Sequence, residues 1–190
     1  MPVSSSSRLL VLHLLRVKGF ADLPASAESE VDALAEEGLV KRRDGVVSGW
    51  RLTPAGLTEH DHLVEDELEA SGGRAAIAAG YRDFLALNHT FLGICTDAQL
   101  DGADVVARLE ALHAAITPIL GGLTASLGRF DGYRGRLDQA LARVEAGEAD
   151  FLTRPLIDSY HTIWSELHED LLATLGIARG SETEWLASAK

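Results

Sequence analysis

The stretch EEGLVKRRDGVVSGWRLTPAG, residues 36–56, decides how the rest of the chain is read. Leu39 to Arg43 and Val46 to Leu52 are two short β-prone runs, and Asp44-Gly45 lies between them. Both turn residues tolerate positive φ, so the pattern predicts a β-hairpin. Thr53-Pro54 follows at once, an N-cap and a first-turn proline that open a helix.

Upstream, Ser4 to Ser7 precede an apolar run from Leu9 to Leu15, and Arg16, Lys18 and Gly19 close it. Serine caps, terminal basic residues and a final glycine predict one short helix. That helix is too apolar for a surface and belongs in a core or an interface. A second helix is expected from Ala27 to Glu37, with Ser26 as its cap and Gly38 as its stop. Val31, Leu34 and Ala35 form its narrow apolar stripe.

Residues 8–60 resemble winged-helix transcription regulators, including the MarR-like group. In that family a "GLV" word closes the recognition helix, the basic hairpin is the wing, and "LTPAG" starts the next helix. The resemblance implies DNA contact through wing residues Lys41, Arg42, Arg43, Ser48 and Arg51, with Trp50 beside them. Wing cations touch phosphate while a recognition helix reads base edges. Two departures stand out. The helix in the recognition position carries Glu28, Glu30, Asp32, Glu36 and Glu37 and no basic residue. The stretch from Gly19 to Val40 is also short for a helix, a turn and a second helix.

The charge distribution points the same way. The chain of 190 residues has a net charge of −12, but residues 1–60 hold seven basic and eight acidic side chains. The acidic excess therefore lies beyond residue 60, where it would repel nucleic acid. One cysteine, Cys95, excludes an intrachain disulfide framework, and its apolar neighbours read as those of a buried structural thiol. The N-terminus does not read as a signal peptide, and no run approaches the ~18 apolar residues of a spanning helix. A cytoplasmic protein with no membrane contact is expected.

Beyond Thr53 the helices recur: to Ala70 with a stop at Gly72-Gly73, from Arg74 to about Cys95, from about Ala103 to Leu127, from Gly132 to Glu145, and from Pro155 to Leu175. Thr96 to Gly102 reads as a loop or cap, and Thr117-Pro118 as a kink or restart. The predicted fold is mainly α: an N-terminal winged helix over residues 1–60, helices plus a small hairpin wing, followed by an α-helical bundle over 61–190.

In the last long helix Ile157, Tyr160, Trp164, Leu167 and Leu171 make one stripe, with His161 and His168 beside it. Asp158 is placed to orient the His161 ring. On the second bundle helix Asn88 shares the face of Phe84 and Phe91, so it points inward. Asn88, Tyr160, His161, Trp164 and His168 form the candidate ligand-binding set. The alternatives are a small-molecule pocket, acid–base chemistry, or aromatic packing with polar tips satisfied locally. His60 and His62 fall on different helix faces and read as solvated surface. There is no HExxH, GxSxG, CxxC or phosphate-cradling glycine loop, so neither catalytic nor metal-ligating residues are assigned and no cofactor is expected. The expected function is a ligand-responsive regulator: a homodimer that binds double-stranded DNA and a small-molecule effector. The alternative is a repurposed scaffold that binds or transforms a small molecule without binding DNA.

Overall fold

The computed structural model describes residues 6–45, 48–99 and 104–188. The fold is mainly helical, with one two-stranded antiparallel sheet among the described residues. It divides into two compact units. Among the described residues, one comprises Ser6 to Gly72 together with the segment from Glu169 onward; the other runs from Gly73 to His168. Residue 60, the expected boundary, falls inside a helix, Pro54–Ser71.

The N-terminal unit starts with α1, Ser7–Lys18. The Ser6 side chain accepts from the Leu9 amide, and Gly19 closes the helix at φ 70°. The apolar run is a core segment: Val11, Leu12 and Leu15 are buried against Val31 and Leu34 of α2, Glu28–Glu36, and Val40 of the hairpin. A single 3₁₀ turn, Ala25–Ala27, leads directly into α2. Ser26 lies inside that turn and makes no cap, so this part of the expected start is corrected. One continuous helical run thus stands between Pro24 and the hairpin among the described residues.

The hairpin pairs β1, Val40–Arg43, with β2, Gly49–Leu52. Val46 and Val47, between the two strands in the sequence, lie outside the described residues. Ala21 forms an isolated bridge to Trp50, exchanging both backbone hydrogen bonds at 3.1 and 2.8 Å. The junction to α3, Pro54–Ser71, rests on Thr53. Its Oγ1 accepts from the Gly56 amide at 3.1 Å and donates to the Gly38 carbonyl at 2.7 Å. Gly56 is required there, because a Cβ would stand 1.9 Å from the Leu39 carbonyl oxygen. Gly72 ends α3 in the left-handed region.

The second unit holds α4, Arg74–Gln99, α5, Val105–Ser126, α6, Asp131–Glu145, the short α7, Asp150–Thr153, and the first half of α8, Tyr160–Leu175. α5 lies between α4 and α6 and buries Leu109, Leu112, Ile116, Leu120 and Leu123. A seven-residue helix, α9, Glu182–Ser188, belongs to the N-terminal unit.

Three helices differ from expectation. α4 continues through Thr96 to Gln99, where a loop was expected; Asp97 is held there by Arg108, and Leu100 to Ala103 lie outside the described residues. α5 runs unbroken past Pro118, with Thr117 donating back to the His113 carbonyl at 2.9 Å. By length and composition α5 also meets the requirement for a membrane span, contrary to the expectation, although its leucine face is buried in the bundle. The last long helix begins at Tyr160, not Pro155, because Ser159 caps it by accepting from the Thr162 amide at 3.2 Å.

Candidate functional site

Strand alternation sorts the basic residues of the hairpin into two sets. Val40, Arg42, Trp50 and Leu52 share one face, with Val40 buried in the core and Trp50 and Leu52 packed against it. Lys41, Arg43 and Arg51 share the other face and are exposed. Lys41 stands directly across the ladder from Arg51. Like charges in that position destabilise a hairpin. Among the described residues no carboxylate pairs with Lys41, Arg43 or Arg51. The outward face is thus a bare cationic strip.

Arg42 differs. Its guanidinium pairs with Asp44 at 3.1 Å and lies 6.0 Å from the Trp50 ring. Ser48 is exposed, and its hydroxyl donates to the Gly45 carbonyl at 3.4 Å within the turn. The neighbouring α2 presents Glu28, Asp32, Glu36 and Glu37 to solvent. Glu37 is tied to Arg8 of α1 at 2.7 Å, and that hydrogen-bonded guanidinium holds its carboxyl below the usual range. A shallow groove of about 250 Å³ separates the start of α2 from Arg42 and Trp50, and its polar rim is acidic: Asp22, Glu28 and Asp32.

The second candidate set lies on facing sides of α4 and α8. Trp164 is buried at 2% exposure between Phe84 and Phe91, with ring centroids 4.8 and 4.7 Å away. Its Nε1 donates to Asn88 Oδ1 at 2.9 Å. His168 Nε2 meets the Tyr81 hydroxyl at 3.1 Å. The Tyr160 hydroxyl lies 3.3 Å from His113 Nδ1, and His113 Nε2 meets Asp138 at 2.9 Å. Burial pushes the Tyr160 hydroxyl well above its ordinary range, and the Asp138 charge adds to the push. His161 is half-buried and stacks on Phe91 at 6.0 Å.

The structure therefore brings Asn88, Tyr160, Trp164 and His168 into one aromatic layer, where their polar tips pair with protein groups. Asp158 does not orient His161. It precedes the helix and takes a bidentate hydrogen bond from Arg136 at 3.0 and 2.9 Å, while Arg136 also reaches Glu166 at 2.7 Å. Cys95 is buried, and burial pushes its thiol up to about 11, which keeps it protonated and unreactive at neutral pH.

Sequence reasoning missed three partners. His113 and Asp138 complete the Tyr160 chain, but neither sits in a recognisable motif. His60 was expected at the surface and is instead fully buried, 3.0 Å from His13 of α1; only its neighbour His62 is exposed. The buried face His60–Val64–Leu68 repeats every four residues, a signal that was present in the sequence.

A groove of about 450 Å³ opens in the N-terminal unit, with Leu57, Val64 and Ile177 on its apolar side and Arg16, Asp61 and Thr174 on its polar side. Among the described residues no cluster of three or more His, Cys, Asp or Glu could hold a metal ion. Comparison of the chain with protein-family models, with curated proteins and with solved structures yields no match.

Proposed function

We propose that this protein binds double-stranded DNA through the outward face of hairpin β1–β2, as a winged-helix-type transcription regulator. The observation that carries this is the strip of Lys41, Arg43 and Arg51. Three cations share one face, two of them directly opposed, and no described acid offsets them. A hairpin accepts that repulsion at little cost when a polyanion supplies the counter-charge. The element order supports the winged-helix reading: α1, the Ala21 bridge to β2, a helix, the hairpin, then α3 on its Thr53 cap.

Two further parts of the reading have separate support. The groove of about 450 Å³ falls in the size range of small-molecule sites and would serve an effector. The exposed face of α5 offers Ala111, Ala115, Pro118 and Gly122 at alternating spacings of four and three, with no charge among them. On a chain of net charge −12 such a neutral face suits a second copy in a homodimer.

A second reading rests on α2. Its exposed acids would meet phosphate with repulsion, and the single helical run before the hairpin leaves no separate groove reader. On that reading the N-terminal unit is an inherited scaffold that binds a small molecule and no DNA. Fluorescence anisotropy with a mixed-sequence DNA duplex separates the two. The regulator binds at low salt and loses affinity when Lys41, Arg43 and Arg51 are replaced by Ala; the scaffold shows no binding in either form.

A further inference from the structure

The N-terminal unit holds a continuous chain of titratable groups, buried except at its Asp61 end. Asp61 Oδ1 lies 2.9 Å from His60 Nδ1; His60 Nε2 lies 3.0 Å from His13 Nδ1; His13 Nε2 lies 3.0 Å from Asp170 Oδ1. His13, His60 and Asp170 are 6%, 0% and 2% exposed, and the two rings stack at 5.2 Å. Three elements supply the chain: α1, α3 and the C-terminal half of α8.

The three contacts need three protons, one in each gap between two electronegative atoms. Two neutral imidazoles bring only two. We propose that the His13–His60 pair holds a third proton, and that this proton latches the C-terminal half of α8 onto α1. The latch carries one positive charge between two carboxylates. Without the third proton, one gap sets a bare ring nitrogen against a bare acceptor; at His13–Asp170, 3.0 Å apart, both sides are buried from water, whereas the Asp61 side chain is 59% exposed.

The geometry also places the proton. His60 directs its Nδ1–H to Asp61, and burial pushes this imidazole down to about 4, with the positive charge of His13 adding to the effect against the pull of Asp61. His60 is therefore the neutral ring, which leaves the third proton on the side of the pair that faces Asp170. Thr174 Oγ1 donates to the Asp170 backbone carbonyl at 2.6 Å and lies 3.1 Å from the same Oδ1. The other charges at this junction come from every helix that meets there. α1 brings Arg16 and α8 brings Glu169, which pair with each other; Arg179 also reaches Glu169, at 2.7 Å. On α3, Glu67 lies two turns along the buried face from His60. α2 turns Glu30 and Glu37 to Ser7 and Arg8 near the far end of α1.

Nitrogen-15 NMR of the full chain tests this directly. At pH 7.5 His13 should show two protonated ring nitrogens, while His60 shows one, at Nδ1. A neutral tautomer at His13 under those conditions overturns the proposal. In Asp170→Asn the amide donates to His13 Nε2 and fills the gap, so His13 should become neutral; a His13 that stays doubly protonated overturns it as well. The latch has its own readout, the amide exchange of Leu171 to Leu175 corrected for intrinsic base catalysis. Protection in the wild type should fall about tenfold per pH unit above the ordinary histidine range of about 6.5, where the opened form has lost the proton and the closed form still holds it, and should level off once the closed form loses it too. In Asp170→Asn it should stay flat. Equal profiles in both proteins would show that the proton does not hold α8.

Discussion

Replacing Asn88 asks whether the aromatic layer of α4 and α8 is architecture or a ligand site. The Trp164 indole can only donate, and its one acceptor is Asn88 Oδ1 at 2.9 Å. Trp164 is 2% exposed, so water does not replace that acceptor if the layer stays packed. Asn88→Ala then strands a buried N–H, which costs about 1–3 kcal/mol. Urea denaturation followed by circular dichroism should show a loss of about 2 kcal/mol. A double-mutant cycle isolates the bond: in a Trp164→Phe background, which lacks the N–H, Asn88→Ala should cost about 1–2 kcal/mol less. The reasoning fails if Asn88→Ala changes stability by under about 0.5 kcal/mol, the range of an ordinary surface substitution. Asn88 would then be a polar group held for something other than Trp164.

Three further predictions concern the rest of the molecule. Burial holds His60 at about 4, below the ordinary 6.5, so the unfolded chain takes up this proton first as pH falls. Stability should therefore drop by about 3 kcal/mol between about pH 6.5 and pH 4, and a His60→Gln variant measured by urea denaturation at stepped pH should lose that slope. Arg8 and Arg143 hold Glu37 and Glu148 below the usual carboxylate range, so their losses come lower on the pH scale and leave the window from 6.5 to 5 to the histidine. Gly56→Ala should cost about 2–3 kcal/mol or more, since its Cβ must displace a carbonyl oxygen 1.9 Å away; a melting temperature within a degree of wild type would refute the close approach. Light scattering on wild type and Ala115→Glu should give a dimer and a monomer respectively, and a monomeric wild type would remove α5 as the pairing face.

Much of the N-terminal unit was legible because its signals are local. Thr53 caps α3 and Gly72 ends it, and each depends only on backbone chemistry within a few residues. The hairpin itself was expected, but Arg43 pairs with Gly49, so its connection is longer than the two residues Asp44-Gly45 and β2 starts at Gly49, not Val46. The start of α8 was misplaced because Pro155 is an equally good helix opener on sequence grounds, and only the Ser159 hydroxyl bond to the Thr162 amide chooses between them. The stripe Tyr160–Trp164–Leu167–Leu171 was readable from helical spacing, but the groups satisfying its polar tips were not. Of these only Asn88 was read as pointing into the same set; Tyr81 and His113 come from distant helices, and side-chain pairing at that range leaves no periodicity in the chain. The same reason hid His13 and Asp170. In the sequence His13 is one polar residue inside an apolar run, and only the packing of α1 against α3 sets it beside His60.

If the outward hairpin face meets DNA phosphates, as proposed, binding must weaken steeply with salt. Three released counterions contribute a slope of about −2.7 in log affinity against log salt, or about a forty-fold loss of affinity between 50 and 200 mM salt. Anisotropy titrations of a DNA duplex at those two concentrations should show at least that loss for the wild type. The Lys41→Ala/Arg43→Ala/Arg51→Ala variant should bind more weakly with a correspondingly shallower slope. No binding by the wild type at 50 mM salt, or a slope unchanged in the variant, would contradict the account.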